Sequence, residues 1–148
     1  MTKRILFALT ILLLLVSFTQ PAFYTNNVQK DAWSNSAFLF FLGWMGMLTG
    51  SAGALPWLAN PVLVTGVIFF LRKKPLPACI LSVIAMAVAA SFLLVRTIVV
   101  SERPDYAGIA EYKAGYWLWL CCMAVFAVTT ILAYLEAKKN DPAPAPKR

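Results

Sequence analysis

The chain contains no histidine, and only six of its 148 residues are acidic. The absence of histidine excludes haem ligation by imidazole and most zinc chemistry. No acid lies deep in an apolar run, which argues against a proton-coupled exporter that needs a buried carboxylate. There is also no nucleophile with a base and no phosphate-binding glycine loop. We therefore expect no catalytic residue, no cofactor and no metal. The acids are Asp31, Glu102, Asp105, Glu111, Glu136 and Asp141.

Cysteine is scarce as well, and its spacing is uninformative. The three cysteines are Cys79, Cys121 and Cys122, and they form no C-x-x-C motif of the kind used by thiol oxidoreductases. Neighbouring residues on a helix point about 100° apart, so a bridge between the adjacent pair would strain the backbone. Small apolar packing is the favoured role for all three.

Charge is low and hydrophobicity is high. Charged residues make up 13% of the chain and hydrophobic residues 61%, which lies outside the range of soluble domains. Four runs, 5–29, 32–71, 75–95 and 114–135, carry no charge at all. At about 1.5 Å of rise per residue, each could cross a hydrocarbon core of roughly 30 Å. The pattern predicts a membrane protein.

Nine of the 13 basic residues lie in three clusters between and beyond the apolar runs. The net charge of +7 is therefore interpreted as a positive-inside bias, and no nucleic-acid partner is expected. Placing all three clusters in the cytoplasm puts both termini there and makes the number of crossings even. The clusters are Lys3 and Arg4; Arg72, Lys73 and Lys74; and Lys138, Lys139, Lys147 and Arg148.

We accordingly predict an all-α integral membrane fold: a four-transmembrane-helix bundle in a single domain, 1–140. The spans are expected at about 5–23, 54–72, 77–100 and 114–136, with a proline-rich, disordered cytoplasmic tail at 141–148. The first run resembles a signal peptide but lacks a clean cleavage site, so an uncleaved anchor is favoured. Cleavage stays open.

The second span is unusual because the apolar segment 37–71 is too long for one crossing. As one helix its 35 residues would extend about 50 Å. We place a break at 50–61, with Asn60 as N-cap and Pro61 as the first helical residue. Either an interfacial helical segment, 37–50, precedes an ordinary span, which we favour, or the Gly/Pro segment descends into the membrane.

Two stripes of small residues have helical spacing. They are Gly43, Gly46, Gly50 and Gly53, and, on the third span, Ala78, Ser82, Ala85 and Ala89. Smooth faces of this kind let helices approach closely, so the two stripes are expected to face each other. Packing within one bundle is favoured over a dimer seam.

Polar and aromatic residues near the outer end form the candidate ligand or partner site. Tyr112, Tyr116 and Trp119 are predicted to share a helical face, either as an interfacial belt or as the wall of a pocket. Arg96 is expected to pair with an acid of the following loop or to bind an anionic ligand. The candidate residues are Asn60, Trp57, Arg96, Tyr112, Tyr116 and Trp119.

Three short stretches, 43–46, 57–61 and 112–119, resemble those of small uncharacterised four-span proteins of bacterial inner membranes. The resemblance implies the architecture and the compartment but no activity. We predict a non-enzymatic protein acting through helix–helix or lipid contacts, such as an accessory or immunity-type protein. Its partners are membrane lipids and a membrane protein or a second copy. The alternative is a subunit of a small transporter or channel with its site around Asn60. A lipid-head-group enzyme is the least favoured possibility.

Overall fold

The computed structural model describes residues 2–26, 34–48, 52–99 and 106–140. Several predicted features lie outside these ranges: Gly50 of the glycine stripe, the acids Glu102 and Asp105 proposed to pair with Arg96, and the tail 141–148. The fold is described below for the residues within them.

Helices account for most of the described chain. The α-helices are α1 (Thr2–Ser17), α2 (Ser36–Leu42), α3 (Met45–Leu48), α4 (Ala59–Leu71), α5 (Pro75–Ala90) and α6 (Ala114–Lys139). There are also two 3₁₀ helices: Ala52–Leu58 leads directly into α4, and Ser91–Leu94 directly follows α5. Three strands complete the fold: β1 (Phe23–Thr25), β2 (Thr97–Val99) and β3 (Tyr106–Tyr112).

Three helical stretches of the described residues are long and apolar enough to cross a membrane. They are Gly53–Leu71, Pro75–Leu94 and Ala114–Lys139. Helix α1 has only 16 residues and extends about 24 Å, because it ends at Ser17 and not near residue 23 as expected. Membrane insertion is thus supported by three helices. A fourth crossing by α1 is not established by its length.

A small antiparallel sheet, in the order β1-β3-β2, lies beside the ends of α1, α5 and α6, so the all-α expectation is wrong in this respect. Phe23 pairs with Tyr112 on one side of β3, and Thr97 pairs with Gly108 on the other. The predicted third span, 77–100, accordingly stops being helical at Leu94. β-branched and aromatic residues favour strands. Strand pairing also provides hydrogen-bond partners for the backbone N–H and C=O groups of residues that lie outside the helices.

A tight turn joins α4 to α5. Lys73 adopts a positive φ of 55°, and the amides of Lys73 and Lys74 donate to the carbonyls of Phe70 and Phe69, each at 3.0 Å. Pro75 then occupies the first turn of α5, where a missing amide hydrogen costs nothing. The turn holds α4 and α5 side by side as an antiparallel pair.

Helix α6 packs against both α1 and α5. Phe126 of α6 is fully buried, and its ring centroid lies 6.1 Å from that of Phe70 on α4 and 6.4 Å from that of Phe7 on α1. The bundle core therefore includes contributions from all four long helices.

The predicted stripe on the third span is buried. Ala78, Ser82, Ala85 and Ala89 are at most 1% exposed. The Ser82 hydroxyl lies 2.6 Å from that of Thr130 on α6, and the Tyr116 hydroxyl donates to the Ala89 carbonyl at 3.2 Å. The stripe thus packs against α6 within the bundle.

The glycine stripe does not face that surface, and this expectation is wrong. The segment is broken, so the described glycines meet different neighbours: Gly43 lies against the Trp57 ring, Gly46 against Ala54, and Gly53 against Ile98 of β2. A Cβ added at Gly46 would lie 2.9 Å from that of Ala54. These glycines let α2, α3 and the first 3₁₀ helix fold closely on one another.

Candidate functional site

A cavity of about 340 Å³, which we call the outer cavity, lies at the end of the bundle nearest the sheet. Its walls come from the end of α1, from α2 and α3, from the first 3₁₀ helix, and from the starts of α4 and α6. None of the described lining residues is charged, and eight are aromatic: Phe18, Phe23, Phe38, Phe40, Trp57, Phe92, Tyr116 and Trp119. The cavity can accept an apolar molecule of modest size.

Four of the six predicted site residues line the outer cavity: Trp57, Asn60, Tyr116 and Trp119. The 3₁₀ helix brings Trp57 to it, the first turn of α4 brings Asn60, and the first turns of α6 bring Tyr116 and Trp119. Residues 59 apart in the sequence thus meet, because Asn60 accepts a hydrogen bond from the Trp119 indole at 3.0 Å.

Asn60 does not cap a helix, and that prediction is wrong. The 3₁₀ helix runs without interruption into α4, so Leu58 occupies the cap position and Asn60 lies in the first turn. Its side chain is released from capping and turns towards α6. At 5% exposure, it is one of the most buried polar residues described.

The amide orientation of Asn60 follows from its partner. An indole N–H can only donate, so it must face Oδ1, and the amide Nδ2 points elsewhere. Nδ2 has no hydrogen-bond partner among the described residues. Every fully buried polar side-chain atom of these residues does have a partner, so Nδ2 is not fully buried. The nitrogen must therefore be accessible, and the space that Asn60 lines is the outer cavity.

The other polar side chains of the cavity wall already have partners. Ser17 donates to the Leu14 carbonyl at 2.7 Å, and Trp57 donates to the Phe40 carbonyl at 2.8 Å. Ser36 donates to the Gln20 carbonyl at 2.7 Å. Together with the Tyr116 bond to Ala89, these contacts leave the Asn60 amide as an available donor in an otherwise satisfied apolar wall.

Tyr112 is not on the α6 face, contrary to the prediction, because it ends strand β3. Its ring nevertheless packs against Tyr116, with centroids 5.0 Å apart, and against Phe92, at 5.7 Å. Its hydroxyl donates to the carbonyls of Phe92 and Val95. Burial raises the pKa of the Tyr112 phenol above its ordinary value of 10.0. Tyr112 supports the cavity wall from behind.

Arg96 lies outside the cavity and outside the helical part of the span, in the extended segment just before β2. Its side chain is exposed and pairs with none of the described acids. Glu111, one of its expected partners, instead forms an ion pair with Lys113, whose ammonium also lies 4.8 Å from the centre of the Tyr24 ring. Arg96 is therefore not part of the candidate site.

Gly115, Ser36 and Phe23 were not predicted, although they form one side of the cavity. The Gly115 amide donates to the Pro21 carbonyl at 2.9 Å, and a Cβ at this position would lie 2.7 Å from the carbonyl oxygens of Gln20 and Pro21. A glycine directly after the start of a predicted span was the available signal. It marks a close backbone approach between α6 and the exit of α1.

The described residues contain no cluster of histidine, cysteine, aspartate and glutamate that could hold a metal ion. Comparison of the chain with protein-family models, with curated proteins and with solved structures gave no match. The resemblance to small four-span proteins therefore stays an expectation. Function must be argued from the geometry, which is suited to binding an uncharged, mainly apolar group.

Proposed function

We propose that the protein is a four-span protein of a bacterial inner membrane that acts without catalysis, through lipid and helix–helix contacts at its outer end. The observation that carries this proposal is the apolar surface of α2 and α3. Phe41 and Leu48 are 63% and 75% exposed, and Trp44 and Met45 are exposed beside them. Helices of seven and four residues are too short to cross a bilayer.

Such a surface is unfavourable in water, at about 25 cal/mol for each Å² of exposed apolar area. It is stable where lipid or another membrane helix covers it. The same end of the molecule carries the interfacial pair Tyr24 and Lys113. These features favour a contact surface near the outer boundary of the membrane.

Contacts at the opposite end support α1 as the fourth crossing with cytoplasmic termini. Lys3 forms an ion pair with Glu136 near the end of α6, and Phe7 packs on Phe70 near the end of α4, with ring centroids 5.2 Å apart. The described residues of the three basic clusters, which include Lys3 and the residues at 72–74 and 138–139, lie at the start of α1, the turn after α4 and the end of α6, an arrangement that supports a cytoplasmic location for this end under the positive-inside rule. A short α1 is accommodated by local thinning or by flanking residues.

Site-specific photo-crosslinking in cells tests this proposal. A benzoylphenylalanine probe would replace Leu48 at the outer end, and a control probe would replace Leu135, which is 54% exposed on α6 near the proposed inner end. We expect lipid adducts at both positions and a discrete protein adduct from Leu48 only. Solvent-quenched probes with no adduct at Leu48 would contradict the proposal.

Topology is tested separately by cysteine labelling on a background without the three native cysteines. A membrane-impermeant thiol reagent is expected to label cysteines at Ser34 and at Ala110, which is exposed on β3, in whole cells, but not at the exposed Lys73. Labelling at Lys73, with protection of the other two positions, would reverse the orientation.

A transporter or channel subunit is the second candidate, favoured by the buried Asn60 amide beside the cavity. It predicts that Asn60→Leu abolishes solute flux in proteoliposomes, whereas Arg96→Gln does not. Equal flux through both variants would eliminate this candidate.

A further inference from the structure

We propose that the outer cavity binds a neutral, flat ring molecule with a carbonyl oxygen, of the quinone-head type, through a hydrogen bond from Asn60 Nδ2. This inference rests on the proposed function only in that the protein must lie in a membrane, where an apolar ligand is concentrated. Its argument has three parts: the charge of the wall, its shape and its one available donor.

The charge of the wall excludes ionic ligands. No described lining residue carries a charge, and the exposed Arg96 is not among the lining residues. Transferring an ionised carboxylate or ammonium into such surroundings without a partner is strongly unfavourable. Fatty-acid anions, phosphate head groups and cationic drugs are therefore poor occupants.

The shape and size of the cavity favour a ring. At about 340 Å³, the cavity lies near the lower end of the range for small-molecule sites, roughly 300–1,000 Å³. That is enough for two fused rings and too little for a phospholipid. Aromatic side chains such as Phe92, Trp57 and Trp119 line it from different elements, and their faces and edges suit a planar ring.

The available donor specifies the polar group of the ligand. Asn60 Nδ2 is uncharged, is oriented by the Trp119 indole, and has no hydrogen-bond partner among the described residues. A neutral carbonyl oxygen is the acceptor that such a donor matches. Because the remaining wall donors are bonded to backbone carbonyls, they offer no competing anchor.

Binding of 1,4-naphthoquinone to the purified full-length protein in detergent tests the proposal, with naphthalene as the ring without an oxygen and decanoate as the anion. Equilibrium dialysis measures each affinity. We expect saturable binding of naphthoquinone at one site per chain and no saturable binding of decanoate. Asn60→Leu is expected to weaken naphthoquinone about tenfold, the effect of one good hydrogen bond, and to leave naphthalene unchanged. Arg96→Gln, outside the cavity, is expected to change neither.

The infrared carbonyl stretch of bound naphthoquinone provides a second measurement that requires no variant. Hydrogen bonding to Asn60 is expected to lower the frequency of one of the two carbonyls relative to micelle-dissolved compound. Absence of saturable binding, an unshifted carbonyl, or equal loss of both ring compounds in Asn60→Leu would overturn the proposal. None of these results depends on the Leu48 adducts, so the site can fail while the proposed function stands.

Discussion

Replacing Gly115 with alanine is predicted to be one of the most damaging single-methyl additions in this protein. A Cβ there would lie 2.7 Å from the carbonyl oxygens of Gln20 and Pro21 and would also collide with the Ser36 hydroxyl. Two of these three atoms belong to the backbone and cannot rotate away. Relief requires α6 to separate from the segment that follows α1.

The expected loss is assembled from two contributions. Overpacking of a well-packed site costs about 1–3 kcal/mol. The shift also stretches the Gly115 amide bond to Pro21 and the Ser36 bond to Gln20, each worth about 1 kcal/mol when intact, and weakening both by half adds about 1 kcal/mol. We therefore expect Gly115→Ala to lower the free energy of unfolding by about 2–4 kcal/mol.

Gly108→Ala is the matched control at the same end of the molecule. Its added Cβ would lie 2.9 Å from Asn26 Nδ2, the tip of an exposed side chain that can rotate. The expected loss is below about 0.5 kcal/mol, as for most surface changes. Unfolding in mixed micelles by increasing fractions of SDS, followed by circular dichroism, measures both variants. The reasoning is refuted if the two variants unfold together, or if Gly115→Ala matches the parent.

Three further predictions concern the rest of the bundle. In a double-mutant cycle of Ser82→Ala and Thr130→Val, the coupling energy is expected to be about 0.6 kcal/mol. It is small because either hydroxyl can also donate to a carbonyl of its own helix. Strictly additive losses of the two variants in SDS unfolding would contradict this. Because folding raises the Tyr112 pKa, its neutral form is favoured in the folded state, so the stability it contributes is complete below pH 10.0 and declines above it. Tyr112→Phe should therefore unfold with a weaker dependence on alkaline pH, and an unchanged dependence would count against the assignment. Glu136→Gln breaks the exposed pair with Lys3 and should lower the free energy of unfolding by at most about 1 kcal/mol, and by less at high salt. A larger loss that does not depend on salt would show that Glu136 stabilises the protein by something other than this ion pair.

The three helices that are long and apolar enough to cross a membrane were predictable, because uncharged length is a strong and local signal. The three stretches found long enough, Gly53–Leu71, Pro75–Leu94 and Ala114–Lys139, each lie within or close to an expected span. The buried alanine and serine face of α5 was predictable for a similar reason, since helical spacing alone places Ala78 and Ala85 on one side.

The sheet was not predictable from local pattern. β1 and β2 have three residues each, too few to show alternation, and Phe23 pairs with Tyr112 across most of the sequence. Asn60 was selected as a polar residue at a chain break, but its assigned role was wrong. Asparagine before proline is typical of a helix start, and the sequence holds no sign that the Asn60 oxygen is instead bonded to Trp119, 59 residues away.

The strand pairing divides the end of the molecule nearest the sheet into two parts that are held in different ways. One part consists of the ends of α1, α5 and α6, which backbone hydrogen bonds join through β1, β3 and β2. The other part is the pair α2 and α3. Backbone and side-chain bonds from Ser36 to Gln20 hold its start, and the side-chain bond from Trp57 to Phe40 holds α2 farther along. Displacing α2 and α3 alone would therefore open the outer cavity to a molecule from the lipid, while the pairing of β1, β3 and β2 stays intact.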